Sequence, residues 1–351
     1  MRLMNAFGDA AQHTVLSAMP DQMGARDAIE PEVTVHFPTD APSLQGKPGP
    51  GRYRGLADYM RGFDLVLSYN WGAMDVVGAR RMFPAGCPPL IHHEDGFNAD
   101  EADRLNWKRN LFRRMMLPTA DALVVPSVRL EGIARTVWRQ PSARLHRIPN
   151  GIDTPRYAVP PGAGSIPGLI RTEGDVVIGT LAGLRAVKNL PRLVRAVAGL
   201  PARVKLVIVG EGPERAAIGA EAARLGMADR LLMPGFLAEP HHYVGHFDIF
   251  ALSSDSEQFP ISLVEAMAAG LPVVATDVGD VKAMVAHENQ DLIVAPVAEK
   301  SFAAALDLLS WDATMRRRLG LANQEKARAD YDEQAMIARY AALYGLPDPS
   351  V

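Results

Sequence analysis

The sequence lacks several features that would place it in a specialised class of protein. It has a single cysteine, Cys87, in 351 residues, which excludes an internal disulfide and suits a reducing compartment. No apolar run approaches the roughly 20 residues of a membrane-spanning helix, and the first residues lack the apolar core of a signal peptide. The formal net charge is only −3, so overall charge does not indicate nucleic acid as a partner. We therefore expect a cytoplasmic globular protein.

The sequence does contain short apolar runs, each about as long as a buried strand, separated by stretches with helical periodicity. This alternation is typical of parallel sheets covered by helices, and it predicts an α/β protein with a doubly wound, Rossmann-like unit in each half. The predicted strands are 14–18, 33–37, 64–69, 89–93, 121–126 and 145–148 in the first half, and 175–181, 204–210, 230–234, 247–252, 272–276 and 291–295 in the second.

A stretch rich in proline and glycine, residues 154–175, divides the two halves and predicts an interdomain linker. The predicted domains are 1–155 and 175–330, facing each other across a cleft, with 331–351 as a C-terminal helix that can pack back on the first domain. A site at the domain interface, near the carboxyl ends of the strands, suits this arrangement. Residues 1–13 look like the end of a helix, so the first strand of the N-terminal domain and its glycine-rich turn are expected to be missing.

The segment SEQFPISLVEAMAAGLPVVAT (256–276) contains a predicted helix at 260–269. Pro260 fits its first position, where the absent N–H costs nothing, and Gly270 fits its C-terminal cap. The N–H groups of the first turn, at Ile261 and Ser262, have no helical partner. Together with the helix dipole they favour an anion, most often a phosphate.

Two glutamates flank this helix start, Glu257 just before it and Glu265 in its second turn. If a diphosphate lies at the helix N-terminus, the two carboxylates can accept hydrogen bonds from hydroxyls on either side of it. A nucleotide-sugar has that order of groups. The plain alternative is that Glu257 complements the helix dipole and Glu265 is a solvated helix residue.

The wider pattern resembles the retaining glycosyltransferases of family 4, which have the GT-B fold. The resemblance covers about residues 120–345 and the first third of the chain only poorly. It rests on the two glutamates with the following AMAAGLPVVATDVG, and on IPNGID (148–153), GTLAGLRAVKNLPRLVRAV (179–197), LVIVGEGPE (206–214) and RLLMPGF (230–236) in that order.

The resemblance implies roles for the matching donor-side residues. Glu265 would bind the ribose of the donor and Glu257 its sugar. The basic pair Arg185 and Lys188 would neutralise the diphosphate. The plain alternative is that both are exposed cations before a helix. Backbone around the start of the 260 helix would hold sugar and phosphate, although Pro260 stands where the family mostly has glycine. The implied donor-side residues are Gly183, Arg185, Lys188, Gly210, Gly212, Phe236, Glu257, Phe259, Pro260, Ile261, Ser262 and Glu265.

Some of these positions admit a purely structural interpretation. Gly210 and Gly212 follow a predicted strand and allow close approach of the backbone to a ligand, but the same pair also suits a tight turn from strand to helix. By resemblance, the segment 231–236 that ends at Phe236 flanks the nucleobase.

The acceptor side is predicted at PLIHHEDGF (89–97), which ends a strand of the first domain. Many relatives have a histidine where this chain has Asp95, so Asp95 is the candidate to contact the acceptor or the donor sugar, with His92 and His93 as alternatives. A metal cluster is disfavoured because successive residues of a strand point to opposite faces.

Three further patterns have a functional and a plain interpretation. His242 and His246 have a spacing that can bind metal, but surface histidines are the simpler interpretation. Asp330-x-Asp332 lies in a polar stretch and suits solvated carboxylates. The segment 104–118 mixes five basic residues with apolar ones. It predicts contact with an anionic membrane surface or, more simply, an amphipathic helix that covers the sheet with its cations in water.

The leading hypothesis is a metal-independent, retaining glycosyltransferase that moves a sugar from a UDP- or GDP-linked donor to a glycan or lipid-linked acceptor, in polysaccharide or glycolipid synthesis. It requires no cofactor beyond the donor, and the enzyme would be cytoplasmic or peripheral on the inner face of the membrane. The alternatives are a nucleotide-sugar epimerase of similar fold, and a non-catalytic nucleotide-binding protein without a complete acceptor site.

Overall fold

The chain divides into two compact units in the computed structural model, which describes residues 1–19, 21, 23–46, 48–96 and 106–349. The first unit is formed by Met1–Pro149 and Gln334–Val351, and the second by Asn150–Glu333. The two chain crossings lie side by side, because the N–H of Ile152 donates to Tyr331 O at 2.9 Å. The stretch 154–175 therefore lies inside the second unit, where Ile166 is buried in the core, and the unit begins before the predicted linker.

The second unit is built on a six-stranded parallel sheet with the strand order β12-β11-β10-β7-β8-β9. Its strands are Val176–Leu181 (β7), Val204–Val209 (β8), Leu231–Gly235 (β9), Ile249–Leu252 (β10), Val273–Thr276 (β11) and Ile293–Val294 (β12). The chain starts at β7 and builds outwards on one side, then returns to β10 and builds outwards on the other. The order therefore reverses between β7 and β10, which is where ligands bind in doubly wound sheets.

Both faces of this sheet are buried, as a parallel sheet requires. Val177 and Phe250 point into one apolar cluster, whereas Ile178 and Ile249 point into the other. Because side chains on both faces are buried, successive residues of each strand are apolar and the strands are continuous apolar runs in the sequence. Helices cover the two faces: Thr154–Tyr157 (α6), Leu190–Ala198 (α7), Arg215–Arg224 (α8), Ile261–Ala268 (α9), Val281–Met284 (α10), Glu299–Trp311 (α11) and Ala313–Asp330 (α12).

The first unit contains a four-stranded parallel sheet in the order β3-β4-β5-β6 and a separate two-stranded parallel pair, β1-β2. The strands are His13–Thr14 (β1), Val35–His36 (β2), Val66–Tyr69 (β3), Leu90–His93 (β4), Ala122–Val125 (β5) and Leu145–Arg147 (β6). The helices are Arg2–Phe7 (α1), Pro50–Met60 (α2), Met74–Met82 (α3), Trp107–Met116 (α4), Val128–Thr136 (α5) and, from the end of the chain, Glu333–Tyr344 (α13).

The last helix packs in the core of the first unit, where Ile337 and Tyr340 join Phe7 and Ile91 in one apolar cluster. Every predicted strand overlaps an observed one, so the predicted α/β class and the strand sequence are confirmed. The predicted strands 14–18 and 33–37 are longer than β1 and β2, which pair only with each other in the described part of the chain. None of the helices in that part is long and apolar enough to cross a membrane.

Candidate functional site

Two loops meet at the point where the strand order of the second unit reverses. One follows β7 and carries Lys188, and the other follows β10 and carries Glu257. Lys188 Nζ lies 2.6 Å from Glu257 Oε1, and the same oxygen accepts a hydrogen bond from Ser254 Oγ at 2.6 Å. Both side chains of the ion pair are mostly shielded from water. Two residues predicted from motifs 69 positions apart are therefore neighbours at the carboxyl edge of a parallel sheet.

Backbone hydrogen bonds and side chains fasten the two loops to each other. Asp255 N donates to Val187 O at 2.8 Å, and Ser253 Oγ donates to Lys188 O at 3.0 Å. Asn189, with a left-handed backbone (φ 42°, ψ 46°), donates from Nδ2 to the Asp255 carboxylate at 3.0 Å. Its side chain makes no capping hydrogen bond to α7, because it is engaged across the loops instead.

The buried Arg192 stabilises the loop that follows β10, a role that the sequence did not reveal. It donates from Nη1 to Ser253 O at 2.9 Å and forms an ion pair with Asp255 at 2.8 Å. In the sequence it is an arginine next to apolar residues of α7, of which Leu193 and Val194 are buried. A buried guanidinium of this kind needs partners, and here the partners belong to the candidate site.

Helix α9 begins one residue later than predicted, at Ile261. Pro260 is not the first helical residue but the residue before it, with an extended backbone (φ −71°, ψ 108°). The first intrahelical donor is Leu263 N, which reaches Pro260 O at 3.1 Å. The N–H groups of Ile261 and Ser262 donate to none of the described residues, so two oriented donors stand open at the helix start, as an anion site requires.

Gly279 allows the segment before α9 to lie where it does. Its φ is 59°, and a Cβ at this position would overlap the carbonyl oxygen of Glu257. The backbone that carries Glu257 therefore passes directly over Gly279, a close approach that only glycine permits. Gly279 is the last residue of the motif AMAAGLPVVATDVG, and the sequence alone indicated no role for it.

Glu265 is half-buried and accepts a hydrogen bond from the Tyr157 hydroxyl at 3.0 Å. Burial, and then the charge of Glu265, raise the pKa of the nearby Tyr243 hydroxyl. The Tyr157 hydroxyl thus fixes one oxygen of Glu265, the residue that is predicted to bind the ribose.

The remaining donor-side candidates lie along the same carboxyl edge, in different environments. Arg185 is exposed and forms no ion pair within the described part of the chain. Phe236, directly after β9, is 75% exposed, so its ring is accessible to a ligand. Phe259 packs against Tyr331, with 5.7 Å between ring centroids, so its side chain anchors the loop and only its backbone is available to a ligand.

The glycines of the loop after β8 fit the turn interpretation better than direct ligand contact. A Cβ on Gly210 would overlap Ala182 O, and one on Gly212 would meet the backbone of Leu184. These glycines bring the loop after β8 against the loop after β7. Gly183, in contrast, is exposed and has open space at its Cβ position apart from the Arg185 side chain.

The acceptor-side candidates of the first unit follow β4. Asp95 is exposed, and its backbone N–H donates to Asn70 Oδ1 at 2.7 Å. Asn70 Nδ2 donates to Asp95 Oδ2 at 3.3 Å. The protein around the carboxyl group raises the pKa of Asp95 by desolvation, and the hydrogen bond from Asn70 opposes this rise.

His92 is fully buried, and this burial argues against direct contact with an acceptor. Its Nδ1 shares a hydrogen bond with Ser68 Oγ at 2.8 Å. Next to it the buried Glu94 forms a two-pronged ion pair with Arg113, both distances being 3.0 Å. The side chains of His92 and Glu94 therefore belong to an internal polar network. Strand alternation places these two side chains on one face of the sheet and that of His93 on the other.

His93 is also buried, but in an aromatic setting. Its ring stacks on Tyr69 with centroids 4.4 Å apart, and its Nε2 shares a hydrogen bond with the hydroxyl of Tyr344, on α13, at 2.8 Å. Burial lowers the pKa of His93 to about 3, so the imidazole is neutral at pH 7. Residue 344 thus contacts the segment where the acceptor was predicted.

The predicted metal alternatives are occupied by other partners. His246 Nε2 lies 2.9 Å from Ser165 Oγ and does not join His242. In the described residues the one group with metal-ligand geometry is Glu239, His241 and His242. There Arg156 Nη2 lies 3.0 Å from His241 Nε2, so a guanidinium already holds the donor atom. Asp332 accepts from Thr154 Oγ1 at 2.7 Å and Asp330 pairs with Lys326 at 2.7 Å, so each has a protein partner.

Helix α4, within the predicted 104–118 segment, departs in part from the simple amphipathic pattern, since Phe112 and Met116 pack on the core but other apolar residues are exposed. Residues 104 and 105 of this segment lie outside the described part of the chain. Arg113 and Asn110 are buried, whereas Trp107, Leu111 and Met115 are 67%, 45% and 48% exposed. The expectation of an apolar face on the core and cations in water holds for Phe112, Met116, Lys108 and Arg114, but not for the buried Arg113. Arg113 is drawn inwards by Glu94, and an apolar stripe remains outside.

Two Rossmann-like units in one chain are the architecture of the GT-B class of fold. Solved structures of this class align over nearly the whole chain. HepE from Anabaena in complex with UDP has a TM-score of 0.79 at 19% identity, with 98% of this chain and 94% of that chain covered. Sucrose-phosphate synthase from Thermosynechococcus elongatus has a TM-score of 0.75 at 20% identity, with 98% and 91% covered.

Family models match both units: Glycosyltransferase Family 4 over residues 2–156 and Glycosyl transferases group 1 over residues 167–326. The chain belongs to the family 4 glycosyltransferases. It is 32% identical to the putative glycosyltransferase EpsF of Bacillus subtilis over 55% of this chain and 52% of EpsF. It is 26% identical to D-inositol 3-phosphate glycosyltransferase of Nocardia farcinica over 74% of this chain and 61% of that protein. The chain thus spans about half the length of the curated relatives it matches.

Proposed function

We propose that this protein is a retaining glycosyltransferase that moves a sugar from a UDP- or GDP-linked donor to a hydroxyl of a glycan or lipid-linked acceptor, in cell-surface polysaccharide or glycolipid synthesis. The observation that carries the proposal is the pairing of Lys188 with Glu257 beside the two open N–H groups of α9. A cation, a carboxylate and oriented amides at a switch point match the charge and hydroxyl pattern of a nucleotide-sugar.

In the proposed reaction the bond between the anomeric carbon and the diphosphate oxygen breaks, and a bond from that carbon to the acceptor oxygen forms on the same face. The acceptor proton passes to the departing phosphate oxygen. Lys188, Arg185 and the amides of Ile261 and Ser262 stabilise the charge that develops on the diphosphate. These groups supply charge neutralisation from the chain itself, so transfer is expected to proceed without a divalent metal.

The remaining donor contacts follow from the positions of the side chains. Glu257 accepts hydrogen bonds from sugar hydroxyls, and Glu265 accepts them from the ribose. Phe236 offers an exposed ring to the base. The structurally similar HepE was solved with UDP and with UDP-glucose, which supports a nucleotide-sugar as the donor.

The test is release of nucleotide from UDP- and GDP-sugars with and without a hydroxyl acceptor, with the anomeric configuration of the product read by NMR. Release that depends on the acceptor, with the donor's configuration kept, is expected. Free sugar formed without an acceptor would instead favour the epimerase alternative. Nucleotide binding without turnover would favour the non-catalytic one. Loss of activity in EDTA, restored by Mg²⁺ or Mn²⁺, would contradict the metal-independent mechanism.

We also propose that α4 contacts an anionic membrane surface. The exposed stripe of Trp107, Leu111 and Met115 recurs every fourth residue and is flanked by the exposed Lys108 and Arg114. The helix contains no acidic residue, so its charge is complementary to anionic headgroups. An apolar stripe with basic neighbours is the pattern of a helix that lies in the interface. Acceptors linked to lipid reside at such a surface.

Flotation with vesicles tests this contact. The protein is expected to float with vesicles that contain phosphatidylglycerol and less with pure phosphatidylcholine. The variant Trp107→Ser/Leu111→Ser should lose binding to the anionic vesicles. The matched control is Trp311→Ser, since Trp311 is 65% exposed on the other unit and should not affect flotation. Equal flotation of both variants and the wild type would contradict the proposal.

A further inference from the structure

Asn70, directly after β3, holds a backbone conformation that residues other than glycine rarely adopt. Its φ is 57° and its ψ is −174°, close to the region that essentially only glycine populates without strain. Its N–H donates to His93 O at 2.7 Å, so the pairing of β3 with β4 continues into the strained residue. Strain of this kind persists only where surrounding contacts enforce it, and it concentrates at functional sites.

The side-chain amide of Asn70 explains why asparagine is present at a position where glycine would be relaxed. Its Oδ1 accepts from Asp95 N at 2.7 Å, and its Nδ2 donates to Asp95 Oδ2 at 3.3 Å. Both ends of the amide thus engage one residue, one fixing its backbone and the other its carboxylate. Glycine would relieve the backbone and lose both bonds.

We propose that Asn70 is a positioning residue: its strained backbone aims an amide that holds the Asp95 carboxylate ready to accept a hydrogen bond from an acceptor hydroxyl. This inference rests on the proposed function and adds a residue to its acceptor side. Asp95 is exposed and can reach a ligand, whereas the two histidines before it are buried. Of the two carboxylates in residues 89–96, Glu94 is buried and Asp95 is exposed. Asn70 thus holds the one that a ligand can reach.

Two substitutions separate positioning from stability. Asn70→Gly and Asn70→Ala both remove the amide, but glycine adopts the backbone conformation freely and alanine does not. The glycine variant should therefore melt at a higher temperature than the alanine variant. Both should lose transfer to a similar extent, about 10²-fold if the carboxylate is misplaced by an ångström, with unchanged affinity for the nucleotide. If activity instead follows the melting temperature, so that the glycine variant transfers like the wild type, the role of Asn70 is structural and the proposal fails.

A double-variant comparison tests whether Asn70 acts through Asp95. Asn70→Ala/Asp95→Ala should be no less active than Asp95→Ala alone, because the amide has nothing left to position. Independent, multiplying losses would overturn the inference.

A readout that needs no turnover keeps the inference separate from the proposed function. The hydrogen bond from Asn70 lowers the pKa of Asp95, so NMR titration of the Asp95 carboxyl carbon should show a higher pKa in both Asn70 variants than in the wild type. An unchanged titration would overturn the contact even if transfer occurs. If the titration moves as expected but the wild type transfers no sugar, the proposed function fails and the Asn70–Asp95 contact is retained.

Discussion

The two units hold their candidate groups by different physical means. In the second unit, Lys188 and Glu257 pair across two loops that are fastened by hydrogen bonds and by the buried Arg192. In the first, Asp95 depends on the strained Asn70, and His93 lies in an aromatic cage that includes Tyr344. The proposed donor side is therefore built from charge, whereas the proposed acceptor side is built from backbone geometry and burial. Changes of charge should harm the first arrangement most, and changes of shape or pH the second.

The largest expected effect follows from removing charge on the donor side. Lys188→Ala should lower kcat by about 10²- to 10³-fold, the loss typical of one group that stabilises a developing charge. Glu257→Ala should lower kcat by about 10²-fold, because the sugar loses the carboxylate that orients it. The matched control is Lys205→Ala, which removes an ion pair of similar length, 2.7 Å to Asp175, at the amino edge of the same sheet. Steady-state kinetics should show the control close to wild type. Near-normal turnover in Arg185→Ala/Lys188→Ala would contradict the assigned role.

A substitution that adds a side chain at Gly279 should lower activity by displacing the loop that carries Glu257. In Gly279→Ala the new methyl group collides with the backbone that carries Glu257, so activity should fall by about tenfold or more, the equivalent of about 1.4 kcal/mol. Gly226→Ala is the matched control, because Gly226 also has a positive φ, 67°, but open space at its Cβ position. Both variants carry a strain of about 1 kcal/mol, seen as a lower melting temperature. Equal activity in the two variants would show that the close approach at Gly279 is unimportant.

The acceptor side should respond to pH through His93. The pKa of this histidine falls from 6.5 to about 3 on folding, so the unfolded chain binds more protons between these values. The stability that the neutral imidazole contributes is complete above pH 6.5 and is lost as pH falls towards 3, at up to about 1.4 kcal/mol per pH unit. His93→Gln should make the unfolding free energy less dependent on pH in this window.

Tryptophan fluorescence can measure this effect in the first unit alone. Of the chain's four tryptophans, only Trp311 lies in the second unit, so a Trp311→Phe background reports on the first. Urea unfolding at pH 7, 6 and 5 gives the slopes. The raised pKa of Asp95 acts with the opposite sign, but it is present with and without the His93 substitution. Parallel slopes in the two proteins would mean that His93 does not titrate as described.

The smallest expected effect concerns the half-buried carboxylate of Glu265. Tyr157→Phe removes the hydroxyl that donates to it at 3.0 Å, so the carboxylate is less well oriented towards the ribose. A hydrogen bond to a charged group contributes about 1.5–3 kcal/mol, but the carboxylate itself remains in the variant, so calorimetry should show nucleotide affinity reduced by about tenfold or less. Tyr59→Phe, on the first unit, serves as the control. A loss as large as that of Lys188→Ala would contradict the ranking of these two contacts.

The fold was predictable because a parallel sheet leaves a strong pattern in the sequence. Strands such as β7 and β10 are buried on both faces, and they appear as apolar runs of strand length. The order of the motifs then places the loops after β7 and β10 at the same edge. The weakest predictions were β1 and β2, where only two residues of each run pair.

Site residues were predictable where they belong to a recognisable motif. They were less predictable where burial or conformation depends on a partner from another element. Lys188 and Glu257, which the family resemblance assigned to one donor site, are in contact, while their assigned roles towards a donor stay predictions. The burial of Arg113 and Arg192 depends on partners from other elements, which no local pattern reveals. The strain at Asn70 and the contact of Tyr344 with His93 are likewise products of tertiary structure.

Calorimetric titration of UDP and of GDP into the wild type, into Arg185→Ala/Lys188→Ala and into Lys205→Ala tests the central claim most directly. The wild type and the Lys205 variant should bind one of the two nucleotides with the same affinity, and the double variant should bind it at least about tenfold more weakly, since two charge-assisted contacts are lost. Equal affinity in all three proteins would contradict the claim that the diphosphate lies between Lys188 and the start of α9.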